Sequence, residues 1–255
     1  MSEAPVLCAF DASEPSLLAA HVAAWMAGAL RAPLELVYVV DHDELPALPR
    51  HGDAAVPPVR QALLEIQERL AEDAARAALE DALAALPHAD VMGSVLTGSP
   101  ADVIRRRAAD RAATLLVSGT AARRGLQHVL HGSVSGVLAA EAPCPVVIVP
   151  PDAAVGEPGP VLVGDDGSEH GRRAVRHAKA LAARLRRGLV EVHVEESDPV
   201  TALAGAADRQ RACLVVTGTR GRGPLHGQLF GSVSVGVVRG AGRPVMLVSG
   251  QAGEP

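Results

Sequence analysis

Short apolar runs of strand length alternate along this chain with longer segments of helical length. Five apolar runs in the first part of the chain have strand length, namely VLCAF (6–10), LELVYVV (34–40), VMGSVL (91–96), ATLLVSG (113–119) and PVVIVP (145–150). Segments of helical length separate them, and Ser13 is a suitable N-cap for the first, which extends to Leu30. The order βαβαβαβαβ predicts a doubly wound parallel α/β sheet with the strand order 3-2-1-4-5.

The second helix of this pattern is long and amphipathic. It follows a proline-rich, acidic loop and is predicted near 59–86. An apolar stripe on this helix comprises Leu63, Leu64, Ile66 and Leu70. Shorter helices are predicted at 100–111 and from Gly132 to Ala140.

The second half of the chain repeats the first. A gapless alignment joins GTAARRGLQHVLHGSVS at 119–135 to GTRGRGPLHGQLFGSVS at 218–234, with 9 of 17 positions identical at an offset of 99. A second alignment joins VLCAFDASE, which ends at Glu14, to VLVGDDGSE, which ends at Glu169, at an offset of 155. The second half therefore lacks 56 residues between these landmarks, which correspond to the third strand and the helix before it.

This repeat divides the chain into two lobes. We predict a first domain at 1–150 with the complete fold, a Pro/Gly-rich linker at 151–160, and a second domain at 161–250 with the trimmed fold. Because the third strand lies at an edge of the predicted sheet, its absence shortens the sheet without opening it. We expect the lobes to pair through their fifth strands as an intrachain pseudo-dimer, and a further homodimer is left open.

Glycines and aspartates fall where such a sheet binds ligands. Ligands bind beyond the carboxyl ends of the strands, where the winding direction reverses between the first and fourth strands. Asp11 and Asp166 follow the first strand of each lobe, and Gly119 and Gly218 end the fourth. Glycines after the fourth strand let a phosphate approach main-chain N–H groups, and the next helix offers its free N–H groups. A P-loop is excluded, because that pattern needs a lysine and the single lysine, Lys179, lies in another segment.

The glycine spacing carries a family resemblance. G-x-x-G, nine further residues and then G-S are found at Gly218, Gly221, Gly231 and Ser232, and this resembles the ATP-binding pattern of the universal stress protein family. The resemblance extends over nearly the whole chain in two tandem copies. It implies a Rossmann-like fold of the adenine nucleotide alpha hydrolase type and an ATP- or AMP-binding role in the stress response, with Mg²⁺ accompanying the nucleotide.

The resemblance also implies roles for individual positions. In the second lobe, Asp166 lies near the ribose and phosphates, and Val194 offers its backbone to the adenine. The implied phosphate-binding residues of this lobe are Gly218, Gly221, Gly231, Ser232 and Val233. The first-lobe counterparts form a weaker set, which is Asp11, Val39, Gly119, Gly132, Ser133 and Val134.

The two lobes differ in this motif. In the first lobe Ala122 replaces the second motif glycine and adds a Cβ where the backbone should approach a phosphate. The first lobe thus combines a complete fold with an imperfect loop, and the second combines an intact loop with a trimmed fold. We expect the second lobe to bind nucleotide better, because its missing unit is an edge element. The alternative is that the glycines serve only helix packing and capping.

Composition narrows the classes of function. Aromatic residues make up only 2% of the chain, so we expect no nucleic-acid binding through base stacking. No apolar run approaches the roughly 18 residues of a membrane span, and the start of the chain lacks the features of a signal peptide. We therefore expect a cytoplasmic protein without membrane contact. The three cysteines are predicted to be buried packing residues, and His128 and His131 lack the further ligands of a zinc site.

We predict a nucleotide-binding regulatory protein and not an enzyme, because no general base, metal site or transition-state arginine can be assigned. Slow ATP hydrolysis or phosphotransfer is the enzymatic alternative, with Asp166 holding a metal and Ser232 accepting phosphate. A ligand-free scaffold is a third reading of the same repeats. Arg220 and Arg222 flank the glycine loop and either contact phosphates or are solvated.

Overall fold

Strands and helices alternate along the chain. The computed structural model describes residues 4–41, 57–88, 90–120, 134–194, 198–219, 232–253 and 255. The elements of the first lobe are β1 (Val6–Phe10), α1 (Glu14–Leu30), β2 (Leu34–Val40), α2 (Pro57–Ala85), β3 (Val91–Thr97), α3 (Pro100–Asp110), β4 (Leu115–Gly119), α4 (Val134–Glu141) and β5 (Val146–Val149). Those of the second lobe are β6 (Val161–Asp165), α5 (Glu169–Leu185), β7 (Leu189–His193), α6 (Pro199–Gln210), β8 (Leu214–Gly218), α7 (Ser232–Gly240) and β9 (Val245–Val248).

The strands of the described residues form one sheet in the order β3-β2-β1-β4-β5-β9-β8-β6-β7. The first lobe has the predicted order 3-2-1-4-5, and the second has the same order without a third strand, so the predicted fold class is confirmed. Pairing is parallel within each lobe. The two fifth strands, β5 and β9, pair antiparallel with Val147 opposite Met246, and this pairing joins the lobes.

Helices cover both faces of the sheet. Val6 and Cys8 of β1 pack in the core beneath α1 and α5, whereas Leu7 packs in the core beneath α3, α4, α6 and α7. Successive side chains of a strand point to opposite faces, so both faces of β1 are buried. This double burial explains why the strands read as continuous apolar runs in the sequence.

The equivalent helices α1 and α5 begin and end in the same way. The Ser13 hydroxyl accepts a hydrogen bond from the Ser16 N–H at 3.4 Å and caps α1, as predicted. Ser168 caps α5 through the Gly171 N–H at 3.0 Å. Both helices end at an arginine in the left-handed region, Arg31 with φ 54° and Arg186 with φ 52°. The sequence repeat is therefore also a repeat of local structure.

The predicted apolar stripe of the second helix is exposed. The exposed fractions are 44% for Leu63, 40% for Leu64, 54% for Ile66 and 64% for Leu70. Among the side chains of α2 that the structure describes, the buried ones lie in its second half and include Ala75, Leu79 and Ala82. A helix of 29 residues is about 43 Å long, whereas the seven-residue strands beside it span about 23 Å. The helix α2 is therefore longer than the strands, and its first half extends beyond the sheet.

Candidate functional site

A cavity of about 770 Å³ opens at the carboxyl ends of β1, β2 and β4, where the winding direction of the first lobe reverses. Four residues of the predicted first-lobe set line it, namely Asp11, Val39, Gly119 and Val134. They come from four different elements or the loops that follow them. The topology therefore brings these four predicted residues together.

Asp11 is held in position by hydrogen bonds with the first turn of α1. Its Oδ1 accepts from the Ser13 N–H at 2.9 Å, and its own N–H donates to Ser16 Oγ at 3.3 Å. Partial burial raises the pKa of the Asp11 carboxyl, but hydrogen bonds from Ser13 and Ser16 outweigh burial, so its pKa lies below the usual range. The cavity therefore carries a carboxylate that is ionised at neutral pH.

Position 119 requires a glycine, because the backbone at the start of α1 lies very close to it. A Cβ added at this position would lie 2.6 Å from the carbonyl carbon of Pro15 and 2.9 Å from the Ser16 nitrogen. The equivalent Gly218 has the same relation to α5, since its Cβ would lie 2.5 Å from the His170 oxygen. Both glycines are thus needed for the end of the strand to pack on the start of the helix, whatever the adjoining loop binds.

Sequence reasoning missed part of the cavity wall. Phe10 and Tyr38, at the ends of β1 and β2, both line it, and their rings meet edge to face with centroids 6.3 Å apart. Ala71 and Ala74 of α2 form another part. The available signal was the scarcity of aromatics, because these are two of the four aromatic residues in the chain.

Among the described residues of the second lobe, the α2 wall has no counterpart. The second lobe lacks both the third strand and the helix before it. The missing unit is therefore more than an edge of the sheet, because in the first lobe its helix contributes Ala71 and Ala74 to the cavity. The expectation that the second lobe binds nucleotide better therefore stays a prediction, with the intact glycine pattern in its favour and the missing wall against it.

The corresponding second-lobe residues lie at or just after the carboxyl ends of their strands, or at the start of the following helix. Asp166 follows β6, and its Oδ1 accepts from the Ser168 N–H at 3.0 Å. Val194 follows β7 and donates its N–H to the Asp165 oxygen at 2.9 Å, while Gly218 ends β8. Ser232 and Val233 lie in the first turn of α7.

Several predicted residues lie outside the described residues. They are Gly221 and Gly231 of the second lobe and Gly132 and Ser133 of the first. Ala122, His128, His131, Arg220 and Arg222 lie outside them as well. The roles of all these residues remain predictions.

In the part of the chain that the structure describes, no three His, Cys, Asp or Glu side chains come together as a potential metal site. No helix in these ranges is long and apolar enough to span a membrane. The three cysteines are buried, and burial raises the pKa of each thiol, to about 12 for Cys144. None of these thiols has the properties of an activated nucleophile.

The fold and the cavity define a tandem, doubly wound α/β protein with a cavity at the switch point of its complete lobe. The model of the universal stress protein family matches residues 4–150 and 186–249. A universal stress protein of Mycolicibacterium smegmatis is 30% identical to this chain, over 97% of each chain. The chain belongs to the universal stress protein family.

Solved structures support the fold assignment. A universal stress protein from Archaeoglobus fulgidus superposes with a TM-score of 0.67 at 19% identity, over 96% of this chain and 98% of that one. This likeness extends to the fold alone. A solved universal stress protein in complex with cAMP is 26% identical over 58% of this chain and 98% of its own, with a TM-score of 0.36.

Proposed function

We propose that this protein binds an adenine nucleotide, ATP or AMP, in the first-lobe cavity and acts as a nucleotide-responsive regulator of the stress response. One observation carries the proposal. The cavity of about 770 Å³ is lined together by Asp11, Val39, Gly119 and Val134. Its size falls within the range of roughly 300–1,000 Å³ that is typical of small-molecule sites.

The chemistry of the cavity matches the parts of a nucleotide. The ionised Asp11 carboxylate accepts hydrogen bonds and would repel phosphates, so we assign it to the ribose hydroxyls. Tyr38, Val39 and Ile104 provide an aromatic and aliphatic surface for the base. Val134 begins α4, and the free N–H groups of a helix start favour an anion such as the phosphate chain. A Mg²⁺ ion would enter with the phosphates, which supply its oxygen ligands.

The choice of lobe rests on the walls of the two crevices. In the first lobe α2 closes one side of the cavity with Ala71 and Ala74, and the second lobe has no such helix. The second lobe keeps the complete glycine pattern, with Gly221 where the first has Ala122. The Cβ of Ala122 hinders the approach of the backbone to a phosphate in the first lobe but leaves the main-chain N–H groups in place. The lack of a helix equivalent to α2 removes a whole wall of the second-lobe site, and we regard this as the larger loss. We therefore favour the first lobe for nucleotide and keep Asp166, Val194 and Gly218 as a weaker second set.

Regulation is favoured over turnover. We assign no general base and no catalytic metal, so bound nucleotide is proposed to stabilise the fold and alter partner choice. Slow ATP hydrolysis is the enzymatic alternative, with Asp166 and Ser232 in catalytic roles. Steady phosphate release that disappears in Asp166→Ala but persists in Asp11→Ala would support that alternative.

Titration calorimetry with ATP, AMP and cAMP tests the proposal. Asp11→Ala removes the first-lobe carboxylate, and Asp166→Ala is the matched change at the equivalent second-lobe position. We expect Asp11→Ala to weaken ATP binding by roughly 10- to 100-fold, as for a lost hydrogen bond to a charged group, and Asp166→Ala to weaken it little.

A second variant tests the cavity itself. Ala74→Phe places a bulky side chain on the wall that only the first lobe has, and we expect it to abolish ATP binding. The absence of ATP binding by the wild-type protein at millimolar nucleotide would refute the proposal. If Asp166→Ala abolishes ATP binding and Asp11→Ala leaves it unchanged, the nucleotide binds in the second lobe instead.

A further inference from the structure

A second cavity lies between the lobes, away from the nucleotide crevice. Its volume is about 430 Å³. It is lined by the end of α3, the start of β4, the segment 143–145, one side of α5 and the residues after β9. The crevice is reached at the carboxyl end of β4, near Gly119, whereas this cavity contacts the amino end of the same strand at Thr114 and Leu115. The two sites are therefore separate.

The lining of this cavity is mostly apolar. Four alanines line the α3 side, which are Ala108, Ala109, Ala112 and Ala113, and Leu30, Leu181 and Met246 lie elsewhere on the wall. An apolar cavity is a poor site for water and a good one for an apolar ligand. A hydrocarbon chain is thus the kind of group that this space can hold.

Most polar groups on the wall already have partners. His177 is 6% exposed and bonds through Nε2 to the Gly253 oxygen at 3.0 Å, and Thr114 Oγ1 donates to the Ala4 oxygen at 3.1 Å. The buried Cys144 thiol stays protonated. Arg184 is exposed and, within the described ranges, has no hydrogen bond or ion pair. The cavity therefore presents one guanidinium that is available to an anion.

The equivalent positions on the other side of the pseudo-symmetric sheet carry larger side chains. The repeat offsets of 155 and 99 relate Ala180 to Trp25, Cys144 to Arg243, Ala109 to Asp208 and Ala112 to Arg211. Three of these larger residues form ion pairs, since Arg243 lies 3.6 Å from Asp208 and Arg211 lies 2.9 Å from Glu157. Arg184 itself corresponds to Ala29. The cavity side of the molecule thus has small side chains and the cationic Arg184, whereas the equivalent positions on the other side have large side chains and ion-paired charges.

We propose that this inter-lobe cavity binds a medium-chain carboxylate, such as a fatty acid anion, with its hydrocarbon chain among the α3 alanines and its carboxylate on Arg184. The planar guanidinium of arginine matches a carboxylate through two parallel hydrogen bonds. The alanines and leucines remove the chain from water. The site is independent of the nucleotide crevice.

Calorimetry with hexanoate, octanoate and decanoate tests the proposal on the full chain. We expect affinity to rise about fourfold with each added methylene until the cavity is filled. Arg184→Gln should weaken octanoate binding about tenfold and leave 1-octanol binding unchanged, because only the carboxylate uses the guanidinium. Arg186→Gln, two residues further along and outside the cavity lining, is the matched control and should change neither.

Filling the cavity provides a second test. Ala180→Trp introduces the residue that the equivalent position carries, and we expect it to abolish octanoate binding while ATP binding remains. Ala109→Phe, at an exposed position on the opposite wall, should do the same and serves if the tryptophan variant does not fold. The proposal is overturned if octanoate does not bind at millimolar concentration, or if octanoate and 1-octanol bind equally. It is also overturned if a folded, cavity-filled variant binds octanoate like the wild type.

Discussion

A single buried carboxylate ties the third strand and α3 to the rest of the first lobe. Glu35 of β2 is 0% exposed. Its Oε1 accepts from Ser94 Oγ of β3 at 2.8 Å and from Arg107 Nε of α3 at 2.8 Å. Arg111 Nε lies 3.4 Å from its Oε2. We therefore predict that Glu35→Ala destabilises the lobe strongly.

The magnitude follows from what the substitution leaves behind. Two arginine side chains and one hydroxyl lose their acceptor, and breaking a buried ion pair from one side costs about 3–5 kcal/mol. The side chains of Arg107 and Arg111 are 28% and 29% exposed, so water compensates part of the loss. We expect the free energy of unfolding to fall by about 3 kcal/mol, at the lower end of that range.

Urea unfolding followed by tryptophan fluorescence measures this change. Trp25 of α1 is the only tryptophan of the chain and packs against the core of the first lobe, on the face of the sheet opposite to Glu35, so its fluorescence reports unfolding of this lobe. Glu191→Ala is the matched control, because Glu191 of β7 is 44% exposed and pairs with Lys179 at 3.0 Å. An exposed pair contributes less than about 1 kcal/mol. If Glu35→Ala costs no more than Glu191→Ala, the network does not hold the lobe together and the reasoning is refuted.

Three further predictions rest on local geometry. Gly119→Ala should lower the free energy of unfolding by about 2 kcal/mol, because the added Cβ would clash with the Pro15 backbone. Gly253→Ala is the control and should change this free energy by less than about 0.5 kcal/mol, because no atom lies within 4 Å of the added Cβ. Equal effects of the two variants in urea unfolding would contradict this prediction. Ser168→Ala should cost about 1 kcal/mol through the lost α5 cap, and an unchanged melting curve would argue against that role. The three buried thiols should resist a thiol reagent at pH 8 until the protein unfolds. Because burial raises their pKa, the folded state keeps protons that unfolded thiols release, so stability should fall as pH rises above about 9. The thiols are Cys8, Cys144 and Cys213.

Much of the architecture could be predicted from the sequence, because strands buried on both faces are continuous apolar runs. The runs at β1 and β4 and the helices between strands lie where the pattern indicated, and Ser13 caps α1 as its residue type suggested. The repeat at offsets of 99 and 155 also identified the missing third strand of the second lobe. Local propensity, burial and repetition all act along the chain, so the sequence contains their signal.

The candidate site was only partly predictable. The switch-point rule applied to the repeat indicated Asp11 and Gly119, the family resemblance implied Val39, and the fold brings all three to one cavity. It did not indicate Tyr38, or that α2 supplies a wall. Residues from β2 and from a helix some thirty positions later share a cavity only because the sheet places them side by side. No period along the chain encodes that contact.

The sequence by itself determined the order of strands and helices, the duplication and the trimmed second lobe, since these depend on short-range patterns of burial. The tertiary structure decided that the stripe at Leu63 and Ile66 is exposed and that Gly119 is constrained by the Pro15 backbone. It also decided that two cavities open at opposite ends of β4. These features depend on how far a helix extends past its sheet and on which distant backbones approach one another, and such distances exist only once the chain has folded.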